Sequence, residues 1–316
     1  GATPMFVDID ERTMNMDPEA LERALADMDA DTLRRVRAVV PVHMAGHPCE
    51  MDYILYVAGR YGIKVVEDAA HALPATYRGR MVGTIGDATA FSFYATKCIT
   101  TGEGGMVVTD NDLLAERVRV MSLHGISRDA WKRYTSEGSW YYEINYPGYK
   151  YNMPDIQGAI GLQQLRKADA LLGIRERHAA AYTDAFRGMP GLETPRVSED
   201  VRHSWHLYIV RLKLRELRID RARFIEELKA RGVLASVHFI PLHMHPYYRE
   251  KYGYEAEDFP VAASVYERIV SLPFYPRMTD EELQYVIDCV RDIVARNTVR
   301  RGFSTRAADA AGRAAA

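Results

Sequence analysis

The spacing of three short segments constrains this chain more than any other feature. Ala38-Val39-Val40-Pro41-Val42 is an apolar run of strand length. Residues 51–61 carry Ile54, Leu55 and Ala58 on one helical side, and Gly62 supplies a stop. Ile63-Lys64-Val65-Val66-Glu67 then returns to a strand pattern. Strand, helix and strand at this spacing predict a βαβ unit, hence a parallel sheet with helices packed on its faces.

The surrounding chain fits that frame. Met5-Phe6-Val7 reads as a strand, and Asp17-Pro18 as the cap and first turn of a helix that turns Leu21, Leu25 and Met28 to one face. Residues 89–93 and 106–109 read as further strands, followed by a helix capped by Asp110 or Asn111. Residues 124–151, rich in Tyr, Trp, Ser and Gly, read as a surface loop. A helix starts near Pro154, capped by Asn152 or a neighbour, and runs towards Tyr182.

The composition changes near Pro190 and Pro195. Beyond it come a strand at 206–210, a helix at 221–231, a strand at 233–240 and a final helix at 279–296. At roughly 100–200 residues per domain, 316 residues allow about two. The expected division is a large domain over 1–190, a smaller α+β domain over 191–299, and an Ala/Arg-rich disordered tail over 300–316.

Charge and composition exclude several classes. Lys and Arg total 41 against 43 Asp and Glu, a net charge of −2, which argues against a nucleic-acid or membrane-surface binder. No apolar run approaches the ~18 residues of a membrane-spanning helix. Three scattered cysteines favour free thiols and a cytoplasmic setting. His43, His47 and Cys49, and likewise His238, His243 and His245, lack a clear fourth ligand, so no metal is expected.

Four segments carry the chemistry. In Glu67-Asp68-Ala69-Ala70-His71-Ala72, Asp68 follows an apolar strand directly, at the carboxyl end where open α/β sheets bind ligands. Capping a turn is its plainer reading. In Ser92-Phe93-Tyr94-Ala95-Thr96-Lys97, a lysine follows a strand in a mostly uncharged stretch. Most lysines are solvated, but one held in a less polar pocket becomes a usable amine nucleophile. Thr100-Thr101-Gly102-Glu103-Gly104-Gly105 reads as a tight turn around Lys97, because a strand rather than a helix follows it. The fourth, residues 147–157, begins a helix.

Together these segments resemble the DegT/DnrJ/StrS family of pyridoxal-phosphate sugar aminotransferases, up to about Arg296; Ser204-Trp205-His206-Leu207-Tyr208 adds to the match. The resemblance implies a type I aminotransferase fold: a doubly wound, mostly parallel α/β domain, a small C-terminal domain, and a homodimer with sites at the interface. It implies that Lys97 forms the Schiff base with pyridoxal 5'-phosphate and that Asp68 pairs with the pyridinium N–H. It also implies that His71 lies beside the ring or its phenolic oxygen, that Ser92 contacts the phosphate, and that Asn152 reaches the phosphate from the partner subunit. The residues around His238 would border the substrate entrance. The expected reaction moves an amino group from L-glutamate to a keto group of a nucleotide-linked deoxysugar.

Other readings stay open: a cyclitol or other acceptor, a sugar dehydratase on the same fold, and a non-catalytic remnant. Lys97 favours transamination, because some dehydratases of that kind have His there. The family ordinarily has a segment before Met5 that binds the cofactor phosphate, so the expectation here is an N-terminally truncated chain that binds the cofactor poorly.

Overall fold

A computed structural model describes residues 1–126 and 142–299. The tail at 300–316, Arg128 and the loop aromatics from Trp131 up to residue 141 lie outside the described residues.

The N-terminal half builds a four-stranded sheet. Helices α1 (Pro18–Ala26) and α2 (Ala30–Arg35) precede strand β1 (Ala38–Val39), helix α3 (Met51–Arg60) and strand β2 (Lys64–Asp68). A hairpin of β3 (Thr76–Tyr77) and β4 (Arg80–Met81) leads to β5 (Ala88–Ser92) and β6 (Gly105–Val108). The sheet order is β1-β2-β5-β6. β1, β2 and β5 run parallel, and β6 is antiparallel to β5. The expected βαβ unit is therefore present.

Local chemistry explains these elements. The Asp17 side chain accepts the Glu19 N–H at 2.9 Å and Pro18 opens α1. α3 buries Met51, Ile54, Val57 and Ala58 against Val39 and Val65. Along β2, Val65 and Glu67 face the packed interior, while Lys64, Val66 and Asp68 alternate to the other side. That alternation sends Glu67 and Asp68 to opposite faces.

Helices α4 (Asp112–Ser122), α5 (Asp155–Leu165) and α6 (Ala168–Phe186) follow. The C-terminal half then contains β7 (Leu192–Glu193), β8 (Val201–Arg202), β9 (Tyr208–Leu212), α7 (Arg221–Ala230), α8 (Pro246–Tyr252), α9 (Pro260–Tyr266), β10 (Ile269–Leu272) and α10 (Asp280–Asn297). β9 pairs antiparallel with β10 and β7, and all five of its residues are buried. Tyr182 and Phe186 of α6, Phe224 and Leu228 of α7, and Val290 and Ile293 of α10 pack in the same core. Thr279 and Glu282 close a reciprocal capping box at the start of α10.

Four expectations need correction. Residues 5–7 form no strand: Phe6 instead packs among Tyr248, Tyr254 and Phe259, and Asp8 accepts the N–H groups of Val261 and Ala262 at the start of α9. Residues 233–240 form only the Ser236–Ser271 bridge. The helix from 154 towards 182 is interrupted at Arg166-Lys167. Asn152 does not cap α5; Pro154 precedes it without a side-chain cap, and Asn152 accepts from Lys150.

Candidate active site

Two parallel strands end side by side where the site forms. Asp68 pairs with Ala90 in register, and its backbone N–H donates to Pro41 O at 2.9 Å. Lys97 lies just beyond the end of β5, in a turn closed by its own N–H to Tyr94 O. The glycine-containing turn grips that loop: the Phe93 N–H donates to Gly104 O, and Phe93 O accepts from the Thr101 N–H and the Thr100 hydroxyl. This is the shaping role expected from sequence.

Lys97 is half-buried, and burial lowers its proton affinity against the opposing pull of Asp68 and, more weakly, Cys98. Asp68 is half-buried too; one carboxylate oxygen accepts the Ala70 N–H at 3.0 Å. His71 is almost wholly buried, and its Nδ1 has no hydrogen-bond partner among the described residues. Burial, then the nearby charges of Lys97 and His238, push His71 down to about 3. Neutral at ordinary pH, its ring leaves one nitrogen free for a ligand.

Sequence reading assigned no individual role to the groups that back this cluster. His206 lies against His71, ring centroids 4.3 Å apart. Burial and the neighbouring His71, Lys97, Arg175 and His238 push it down to about 2. The strand-like segment before β9 crosses onto the turn at 44–46: the Ser204 and His206 N–H groups donate to Gly46 O and Ala45 O, and Ser204 Oγ donates to His71 O at 2.6 Å. Gly46 permits this approach. Its φ is +98°, and a Cβ there would lie 2.0 Å from Ser204 Oγ. Buried Arg175 of α6 donates to the Trp205 and His206 carbonyls at 3.0 and 3.3 Å. No local motif announces these contacts, because they join segments far apart in sequence.

His238 comes in from the C-terminal half, its Nδ1 2.8 Å from Ser271 Oγ, and burial and Lys97 lower its proton affinity. The Phe239 ring stacks near that of His71, centroids 6.1 Å apart. Of the expected site residues, Lys97 lies within electrostatic reach of both Asp68 and His71. Ser92 is the last residue of β5 and its hydroxyl accepts the Tyr94 N–H at 3.4 Å. Asn152 stands apart: its side chain is engaged by Lys150 and makes no hydrogen bond to Lys97, Asp68, His71 or Ser92.

Three of the histidines considered as metal ligands, His43, His47 and His238, have other partners. His43 meets Glu67, and His47 lies 2.7 Å from Pro48 O. A cavity of about 900 Å³ between the end of α6 and α10, lined by Arg187, Arg218, Arg291 and Arg296, shares no residue with the Lys97 cluster.

Comparison with known proteins bears on this geometry. Residues 1–291 match the model of the DegT/DnrJ/EryC1/StrS aminotransferase family. The chain is 55% identical over 296 residues to the uncharacterized protein MJ1066 of Methanocaldococcus jannaschii, covering 94% of this chain and 75% of that protein. It is 52% identical over 295 residues to the spore coat polysaccharide biosynthesis protein SpsC of Bacillus subtilis, covering 93% and 74%. Among solved structures, the putative sugar aminotransferase Spr1654 of Streptococcus pneumoniae in its PMP form superposes with a TM-score of 0.85 at 32% identity, covering 94% of this chain and 77% of that one.

Proposed function

Because the chain belongs to the DegT/DnrJ/EryC1/StrS aminotransferase family, we propose that it transfers an amino group from L-glutamate to a keto group of a nucleotide-linked deoxysugar. Its fold is the type I aminotransferase fold, and pyridoxal phosphate is the cofactor expected of it. The similarity to SpsC supports a sugar destined for a polysaccharide.

The residues of the cluster fit that cofactor. An amine of lowered proton affinity, a carboxylate beside it and a buried imidazole nitrogen without a partner match an aldehyde, a pyridinium N–H and a polar ring substituent. The orphaned His71 Nδ1 next to Lys97 and Asp68 is the observation that carries the reading. Bound there, the cofactor supplies an electron sink for a carbon that loses a proton.

The chain's own groups do the rest. Lys97 would hold the cofactor and, as a free amine, would carry a proton at the donor's reacting carbon. Its partial burial leaves more of the amine unprotonated and able to act as a base. Asp68 keeps the ring nitrogen protonated. His71, backed by His206, would lie beside the cofactor, and Ser92 would offer it a hydroxyl.

Asn152 serves the site of a second copy in a homodimer. Support comes from α5: none of its residues is buried, and Ile156, Ile160, Leu162 and Leu165 are all exposed. Exposed apolar side chains on a helix that follows Asn152 suit a subunit contact. A division into two domains is supported by two cores, one around β2 and α3 and one around β9 and α10, the second of which includes Tyr182 and Phe186 of α6.

The direct test is to incubate the cofactor-loaded chain with L-glutamate and measure 2-oxoglutarate. A nucleotide-linked keto-deoxysugar is then added and the amino sugar sought by mass. Stoichiometric 2-oxoglutarate followed by a sugar amine is expected. Failure with every amino donor overturns the reading and leaves the dehydratase.

A further inference from the structure

Beneath Asp68, on the opposite face of β2, lies a polar network that the catalytic scheme does not use. Glu67 and His43 are both completely buried, with Nε2 and Oε2 3.0 Å apart. The other Glu67 oxygen accepts the Gly86 N–H at 2.8 Å and the Thr89 hydroxyl at 2.7 Å. His43 Nδ1 accepts the Cys49 N–H at 3.0 Å. That last bond fixes the tautomer: Nδ1 is an acceptor, so Nε2 carries the proton and donates to Glu67. Burial works against the Glu67 charge, but the donors from His43, Gly86 and Thr89 outweigh it and keep the carboxyl below the ordinary glutamate range.

The same residues hold the Asp68 backbone. The His43 N–H donates to Asp68 O at 3.1 Å, and Glu67 is the residue just before Asp68. Across the sheet, Thr89 pairs with Glu67 in register, Ala90 with Asp68, and the Ala69 N–H donates to Ala90 O. Gly86 is tailored to the network: a Cβ there would lie 2.9 Å from Val65 O and 3.1 Å from Glu67 Cγ. One carboxylate thus ties together the 41–49 segment, the end of β2, β5 and the turn before β5.

We infer that Glu67 and His43 are positioning residues that aim the Asp68 carboxylate at the cofactor's ring nitrogen. The inference rests on the proposed function. Glutamine cannot replace Glu67 without loss. Its NH₂ must face either the His43 N–H or the Gly86 and Thr89 donors, and the His43 tautomer cannot switch without giving up Cys49. The end of β2 then shifts, and Asp68 with it.

A double-mutant cycle on cofactor affinity separates positioning from plain stabilisation. Pyridoxal phosphate is titrated against the 316-residue chain, Glu67→Gln, Asp68→Asn and the double variant, with circular dichroism melts beside each. If Glu67 acts through Asp68, Glu67→Gln weakens binding about tenfold alone and about twofold or less in the Asp68→Asn background. Equal weakening in both backgrounds, or none in the first, overturns the inference. Asp68→Asn without effect on binding overturns the proposed function instead. Should Glu67→Gln fail to fold, Thr89→Val, which removes one of the three donors and keeps size, replaces it under the same criterion.

Discussion

Three histidines gather around Lys97 without charge, and this has a consequence for stability. His71, His206 and His238 all have lowered proton affinity, the first two down to about 3 and about 2. In the unfolded chain each titrates near 6.5. Below that pH the unfolded state takes up protons that the folded state refuses. Each such histidine then costs up to about 1.4 kcal/mol per pH unit, down to its folded value. The thermal midpoint of the cofactor-free chain is therefore expected to fall from about pH 6.5 downward, before carboxylates titrate. His206→Asn should flatten that slope. A midpoint that stays level to pH 5 in the parent chain would contradict the buried, neutral assignment. The placement of Asp68 and Lys97 was legible in the sequence, because Asp68 ends one apolar strand, Lys97 lies in the turn after another, and parallel strands end together at one edge. His206 and Arg175 were not, since only the close approach at Gly46 brings them to His71.

At the level of elements, the βαβ unit and the capped helices were legible because their signals are local. The Asp17-Pro18 start of α1 and the Thr279 box of α10 satisfy backbone groups within a single turn. The strands misjudged at 5–7 and 233–240 have strand-like composition, but their partners are decided elsewhere. Phe6 finds an aromatic cluster, and His238 turns towards Ser271. The break between α5 and α6 falls at Arg166-Lys167, neither of which is a helix breaker, so periodicity ran through it. Helix α5 also carries an outcome to check. If its exposed apolar side chains form a subunit contact, Ile156→Glu with Leu162→Glu should convert a dimer to a monomer in sedimentation while leaving the circular dichroism unchanged. A parent chain that sediments as a monomer at micromolar concentration would remove the dimer from the account.

In the whole molecule, residues from both halves of the chain contribute to one cluster. The N-terminal sheet supplies Asp68, His71, Ser92 and Lys97, and the C-terminal half supplies His206, His238 and Phe239. The segment at 203–206 joins the halves through the Gly46 and His71 carbonyls. Its claim to chemistry depends on the Lys97 amine reaching a cofactor whose ring nitrogen faces Asp68. Reduction of the cofactor-loaded chain with borohydride, followed by peptide mass mapping, tests this most directly. The account expects one phosphopyridoxyl label, on the peptide containing Lys97, lost in Lys97→Ala and weakened in Asp68→Asn. A label on any other lysine, or an undiminished label in Lys97→Ala, would contradict it.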